Sequence, residues 1–545
     1  MRYTGARIII EILKEQGVDT VFGYPGSSVL KIYDELYKAK GSIRHILTSH
    51  EQGAAHAADG YARVSGRTGV CIATSGPGAT NLVTGIATAY MDSVPLLALT
   101  CNVDRASLGK DSFQEVDING ITMPVTKHGY IIKDISELEG TLRRAFAITQ
   151  EGRKGPVVVD ITKNVLEDSA EFEPLDNNPP AQEKAETGVK AAVDEKAAVD
   201  EKALKDAKKV IKAAKRPLIL VGGGVVRAEA GEEATELSKK LSAPVICSMM
   251  GRGALDETYP LFAGMTGREG NSAANRLLSE CDVLICAGIR FSDRMTNGNP
   301  AFGEGKKIVQ LDIDPAEINK NVRVDVAMCC DAKTGLKALC DALKETEHKT
   351  WEKKALGYIS TEEAENSKRT DIGSKIILEV LRLTKGDAIV TTEVGQHQLL
   401  AATLYKTSKN GRFVTSGGLG TMGFGLSAAI GAKLACPKMK VINFAGDGCF
   451  RMNMNELLAA SRHNIPVVQI VFDNQVLGLV YNMQKDMYNG RFSATEFKDR
   501  LDFVKLANAL GVKALRISKE EEIAPVLKEA LKSKEPVVVD CSIKP

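Results

Sequence analysis

The most telling stretch of the chain is Val441–Asn474, VINFAGDGCFRMNMNELLAASRHNIPVVQIVFDN. An unbroken apolar run, Val441–Ala445, gives way to Gly446-Asp447-Gly448. Helical text follows over Cys449–His463, then Pro466 and a second apolar run, Val467–Phe472. A strand without polar alternation is one covered on both faces, as parallel strands flanked by helices are. Gly69–Asn102, GVCIATSGPGATNLVTGIATAYMDSVPLLALTCN, repeats the order of strand, glycine turn, helix, proline (Pro95) and strand. The two read as copies of one strand–helix–strand unit in related domains. Between them RPLILVGGGVV (Arg216–Val226), APVICSM, CDVLICAG and KIVQLDID supply short buried-strand patterns among helical text. The expected architecture is α/β: three successive doubly wound parallel-sheet domains.

Two charged stretches mark the boundaries. They place a first domain at 1–170, a linker at 171–189, a central domain at 190–340, a linker at 341–370 and a last domain at 371–545. Asn177-Asn178-Pro179-Pro180 reads as linker, and the tandem AAVDEK of Ala191–Lys202 as a solvated helix entering the central domain. At roughly 150 residues per domain, a chain of 545 residues agrees with that division. Lys+Arg total 71 and Asp+Glu 69, a balance that excludes a nucleic-acid-coating protein. The 11 cysteines include no C-x-x-C pair, which suits a reducing compartment better than a disulfide framework or a Cys-ligated zinc. The N-terminal residues carry no signal or transit composition, and no apolar run is long enough to span a membrane. A cytoplasmic protein is expected.

The chemistry concentrates at Gly446-Asp447-Gly448. Glycines at a strand-to-helix turn let backbone N–H groups approach an anion, but an Asp there would repel a bare phosphate unless a divalent cation lies between them. Asn474 closes the next apolar run, at the end of the expected neighbouring strand, where ligands of such sheets gather. Asp447 and Asn474 can therefore converge as oxygen ligands of Mg²⁺ beside a phosphate; the plainer alternative is a tight turn with a capping Asp. Gly418-Leu419-Gly420-Thr421-Met422-Gly423 matches G-x-G-x-x-G, yet Met439-Lys440 stand where a ribose-binding acid would be required. A glycine wall against a flat cofactor ring, with Met422 as the apolar contact, fits better. In the first domain, Glu51 lies in HEQGAAHAADGYAR among small residues. A carboxyl sunk there loses solvation and can hold or donate a proton; the alternative is an ordinary helix-start Glu.

Taken together, Glu51 in SHEQGAAHAADGYAR, the GDG–Asn474 pair and GGLGTMGFG resemble the thiamine diphosphate (ThDP) enzymes, and most closely the acetohydroxyacid (acetolactate) synthase large subunit. VFGYPGSSVLKIYD, DSFQEVDINGITMPVTKH, EGRKGPVVVDITK, GIRFSDR, LDIDPAEINKN and GQHQ extend the resemblance over nearly the whole chain. It implies ThDP and Mg²⁺ as cofactors. Glu51 would bond the aminopyrimidine ring, Met422 would wedge the cofactor and the Gly420 carbonyl would hold its amine. Gly26 would touch the cofactor at a turn, with Ser27 next to it beside the reacting centre. Gln396, His397 and the turn Asp447–Cys449, including Gly448, would bind diphosphate, and Gly395 and Gly446 would touch the cofactor at turns. Asp447, Asn474 and the Val476 carbonyl would ligate Mg²⁺. Phe113, Gln114 and Lys163 match substrate-side residues. The implied reaction decarboxylates pyruvate and joins the two-carbon unit to a second 2-oxo acid, giving 2-acetolactate for branched-chain amino-acid synthesis. Glu51 would serve a cofactor held by another subunit, so a homodimer is the minimum. A tetramer and a small regulatory subunit stay open. The central domain resembles the family's region for structural FAD, with Arg153, Gly222, Gly223, Gly224, Arg290, Asp312 and Asp331 matching. Relatives with an empty or ADP-bound central domain are the alternative.

Some positions depart from the family. Ser27 replaces a glycine, Met483 a Trp that favours 2-oxobutanoate, Gly267-Arg268-Glu269-Gly270 the GMHG element and Ser292 an Asp; the sequence given stops at Pro545, short of the family's tail. They leave open the acceptor, another ThDP decarboxylase or carboligase, and a pyruvate oxidase-like flavoenzyme.

Overall fold

The computed structural model describes residues 1–175, 199–499 and 501–543. The Asn177–Pro180 linker and the repeat up to residue 198 lie outside the described residues. The chain resumes at Val199 and enters a helix, Glu201–Lys212, whose Ala207 and Ile211 are buried.

Three six-stranded sheets follow one another, with every strand pairing inside them parallel. The first runs, in spatial order, Arg44–Leu47, Thr20–Gly23, Gly69–Ala73, Leu96–Asn102, Pro156–Thr162 and His128–Ile132. The last runs Arg412–Thr415, Ala388–Thr392, Lys440–Gly446, Val468–Asp473, Val537–Ser542 and Lys513–Ile517. Numbered within each domain, both are ordered 2-1-3-4-6-5, so the repeated strand–helix–strand unit belongs to two domains of identical topology. The central sheet differs: Phe262–Met265, Val245–Cys247, Pro217–Val221, Val283–Ala287, Lys307–Asp312 and Val326–Cys329 give 3-2-1-4-5-6, the dinucleotide-binding order.

Buried apolar runs such as Leu96–Asn102, with every residue buried, explain why the strands were readable. The 341–370 stretch behaves differently from a plain linker. It contains an 18-residue helix, Lys349–Asn366, which buries Trp351, Ala355 and Ile359 against Leu277, Leu284 and Phe302 of the central domain. Few apolar residues serve that one contact, and its charged remainder masks it in the sequence.

The first and last domains share one core through two Ala- and Gly-rich helices, Glu51–Ser65 and Gly425–Ala435. A Cβ on Gly60 would strike the Ala428 carbonyl, and one on Gly431 the Ala57 carbonyl, so the crossing is backbone to backbone. The smallness around Glu51 is thus largely the requirement of this contact.

Candidate active site

At the C-terminal ends of the last sheet the strand Lys440–Gly446 runs into a helix starting at Asp447, and its parallel neighbour Val468–Asp473 runs into Asn474. Asp447 Oδ1 accepts the Gly448 N–H at 3.0 Å, whereas Oδ2 is buried without a hydrogen-bond partner among the described residues. Burial first, then the Asp473 charge, pushes the Asp447 carboxyl up to about 7. A buried carboxylate oxygen lacking a partner, raised by a second carboxylate, is the electrostatic setting that a divalent cation relieves. No three His, Cys, Asp or Glu side chains form a metal cage among the described residues. One carboxylate, one amide and backbone oxygen, completed by phosphate and water, match how Mg²⁺ is held beside diphosphates.

Other predicted residues surround this turn. The His397 ring lies against Gly395 and Gly446, and its Nε2 is a second buried atom without a partner among the described residues. Burial pushes the imidazole down to about 3, so it stays neutral. Gln396 and Asn474 both border Gly478, and the Cys449 thiol donates to the Val394 carbonyl at 3.0 Å. Asn474 Oδ1 accepts the Val476 N–H at 3.2 Å, and between them Gln475 adopts φ +59°. A non-glycine residue in that region at a strand end marks a turn held by its surroundings. Gly420 (φ +72°) is exposed and has Val394 beside it; Met422 is half-buried.

A second cluster forms in the first domain. Glu51 opens its helix half-buried, with Oε2 accepting from Asn81 Nδ2 at 3.0 Å and Gly78 beside Oε1. Gly26 and Gly78 flank Thr74, and Gly76 abuts Gln114, itself at φ +62°. Phe113 is 86% exposed, and Lys163 and Ser27 are exposed. Among the described residues no hydrogen bond joins Glu51 to Gly420, Met422, Asp447 or Asn474. Within one chain the Glu51 segment instead meets residues 455–463: Ser49 N–H donates to both Glu456 oxygens at 3.0 and 3.1 Å, and Leu47 N–H to His463 Nε2 at 3.0 Å.

Two buried acids near these clusters were missed by sequence reasoning. Glu393 accepts N–H groups from Gly423 at 2.7 Å, Gly425 at 2.8 Å and Leu426 at 3.3 Å, gripping the loop that presents Met422. Its signal was available: an acid directly after the buried strand Ala388–Thr392. Glu456 carried no local signal, because its partners are remote in sequence.

In the central domain, Gly222 and Gly224 pack directly on Gly288 between the strand ends where the order reverses. Asp312 is buried and pushed up to about 6, chiefly by burial. Arg290 Nη1 donates to the Met91 carbonyl at 2.6 Å. Arg153 pairs with Glu317 and Asp314 at 2.9 and 3.2 Å, and Asp331 caps the Ala332–Ala342 helix, so both have structural partners.

Comparison with known proteins agrees with this geometry. Three family profiles match in sequence order: the N-terminal TPP binding domain of thiamine pyrophosphate enzymes at residues 3–121, their central domain at 204–339 and their C-terminal TPP binding domain at 393–541. The chain is 46% identical to the probable acetolactate synthase large subunit of Methanocaldococcus jannaschii, covering 99% of this chain and 92% of that protein. It is 39% identical to acetolactate synthase isozyme 3 large subunit of Escherichia coli, over 97% and 92%. To the acetolactate synthase large subunit of Haemophilus influenzae it is 38% identical, over 99% and 95%.

Proposed function

Because the chain belongs to the thiamine pyrophosphate enzymes, in the family of acetolactate synthase large subunits, we propose that it decarboxylates pyruvate and joins the two-carbon unit to a second 2-oxo acid in branched-chain amino-acid synthesis. The observation that carries this reading is the 46% identity to an acetolactate synthase large subunit over 99% of the chain. The partnerless Asp447 Oδ2 and His397 Nε2 at the diphosphate turn support it. Bound ThDP would supply the carbon nucleophile and the electron sink that loss of CO₂ requires.

The chain's own groups divide the remaining work. Asp447, Asn474 and the Val476 carbonyl would hold Mg²⁺; Gly395, Gln396, His397, Gly448 and Cys449 would border the diphosphate. Neutral His397 would border the diphosphate without adding charge. Asn81 fixes Oε2 of Glu51 and leaves Oε1 as the atom that takes and returns a proton. Met422, its loop gripped by Glu393, would set the cofactor's bend. The exposed Lys163 ammonium suits a 2-oxo acid carboxylate, with Gln114 and Phe113 nearby in sequence to each other on the same strand-end surface of the first domain.

The lack, among the described residues, of any hydrogen bond from Glu51 to Met422, Asp447 or Asn474 within one chain fits a homodimer in which each subunit completes the other's site. Exposed Phe113, Met123, Met452, Met483 and Met487 are the apolar surface such a partner would cover. A large subunit implies a small regulatory partner. Eleven free cysteines fit the reducing cytoplasm. No helix among the described residues is long and apolar enough to cross a membrane. In the central crevice Gly222–Gly224, Arg290 and Asp312 fit the diphosphate and ribose of FAD, held structurally.

Incubation with pyruvate, ThDP and Mg²⁺ tests the assignment: 2-acetolactate should form, and adding 2-oxobutanoate should reveal the preferred acceptor. Acetaldehyde without acetolactate would sink it. Glu51→Gln should lower kcat by about a hundredfold or more while the circular dichroism spectrum is unchanged.

A further inference from the structure

The central crevice holds a cation that lacks a bonded protein counter-ion among the described residues. Arg227 ends the short helix Gly223–Arg227, immediately after the strand Pro217–Val221 and the Gly222–Gly224 turn. Its guanidinium folds back over that turn, with Nη2 2.5 Å from where a Cβ on Gly223 would lie. Among the described residues it makes no hydrogen bond or ion pair. The carboxylate it feels most is Asp92, which already bonds Arg63 at 2.9 Å and the Gly417 and Gly418 N–H groups at 3.2 and 2.8 Å. Arg63, Arg290 and Arg153 add like charge around it. Burial together with those charges pushes Arg227 down to about 10. It therefore remains a cation at neutral pH, poorly compensated, in a fold that keeps buried charges paired. Arg153 and Arg290 already have protein acceptors, so Arg227 is the guanidinium left over.

Its position supplies the ligand class. A crevice at the switch point of a 3-2-1-4-5-6 sheet accepts a nucleotide, with phosphates against the glycine turn. Asp312, ending the strand two places along the sheet from Pro217–Val221 and just beyond Val283–Ala287, is the acid on that side for ribose hydroxyls. A guanidinium fork over that turn matches phosphate oxygens two at a time. We propose that Arg227 binds the diphosphate of a nucleoside diphosphate moiety in this crevice, either free or as one half of FAD. This rests on the nucleotide-binding reading of the central domain.

Equilibrium dialysis of the full chain, stripped of bound nucleotide, against FAD, ADP and adenosine separates the outcomes. Arg227→Gln should weaken whichever diphosphate ligand the wild type binds by about tenfold to a hundredfold and leave adenosine unchanged. Arg227→Lys, keeping the charge without the fork, should fall between, and serves if Arg227→Gln does not fold. Binding of FAD with no ADP binding assigns the dinucleotide; binding of both assigns the shared moiety. Equal wild-type and variant affinities, or an equal loss for adenosine, would overturn Arg227's role while leaving the nucleotide reading intact. Failure of the wild type to bind either FAD or ADP would overturn both.

Discussion

Glu393 is buried and takes its hydrogen bonds from backbone rather than from a counter-ion. Burial pushes it up to about 7, partly opposed by the N–H groups of Leu426, Gly423 and Gly425. Those donors belong to the turn just beyond Gly420 and Met422, so Glu393 positions the loop and does not meet substrate. Glu393→Gln keeps one acceptor oxygen and turns the other into a donor facing an N–H group. The ThDP concentration giving half-maximal activity should rise about tenfold, with kcat at saturating ThDP changed much less. An unchanged ThDP requirement would show that the loop holds itself. Sequence reasoning reached Glu51 because small residues crowd around it, yet Glu51 is half-buried, and Glu393 and Glu456 beside the same clusters are buried far more deeply. The pattern around Glu51 was legible; its chief cause, a helix pressed on by another domain, was not.

That contact is the main device at the level of elements. Glu51–Ser65 and Gly425–Ala435 cross at Gly60 and Gly431, where no side chain separates the backbones. Gly431→Val would drive a branched side chain into the Ala57 carbonyl, and a packed interface answers such overfilling by moving apart. Unfolding in urea should show a loss of about 1–3 kcal/mol at an unchanged m value; a loss below about 0.5 kcal/mol, the level of a neutral surface change, would mean the crossing tolerates separation. Strands such as Leu96–Asn102 and Val468–Asp473 were legible because burial on both faces removes polar alternation. Their spatial order was not, since pairing of Leu96–Asn102 with Pro156–Thr162 is fixed by packing across many intervening residues. The same limit hid the Lys349–Asn366 helix, whose buried face rests on three residues, and the division of Cys449–His463 into Asp447–Asn453, a 3-10 turn at Met454–Glu456 and Leu457–Arg462.

Across the whole molecule, the first and last domains are tied by residues 44–50 meeting 455–463. Ser49 Oγ bonds the Asn455 carbonyl at 2.8 Å and Arg462 the Leu47 carbonyl at 3.2 Å, with Glu456 at the centre. Burial pushes the Glu456 carboxyl up to about 7 against the pull of the Ser49 and His50 N–H groups and of Arg462, with the Glu51 charge adding a small upward push. A folded pKa above the ordinary carboxyl value means that the folded state holds the proton more tightly. The stabilisation is full below about pH 4.5 and is lost as pH rises through about 7. Between those limits the slope is about −1.4 kcal/mol per pH unit for one such group. Buried imidazoles oppose it: His45 is pushed down to about 4 and His56 to about 3, so their stabilisation is present above about pH 6.5 and is lost as pH falls. The total curve therefore sums opposing slopes, and only a difference between proteins isolates one group. Glu456→Gln, which cannot titrate, should gain stability relative to wild type as pH rises from about 5 to 7. Parallel melting profiles of the two proteins over that range would show instead that Glu456 is ionised throughout.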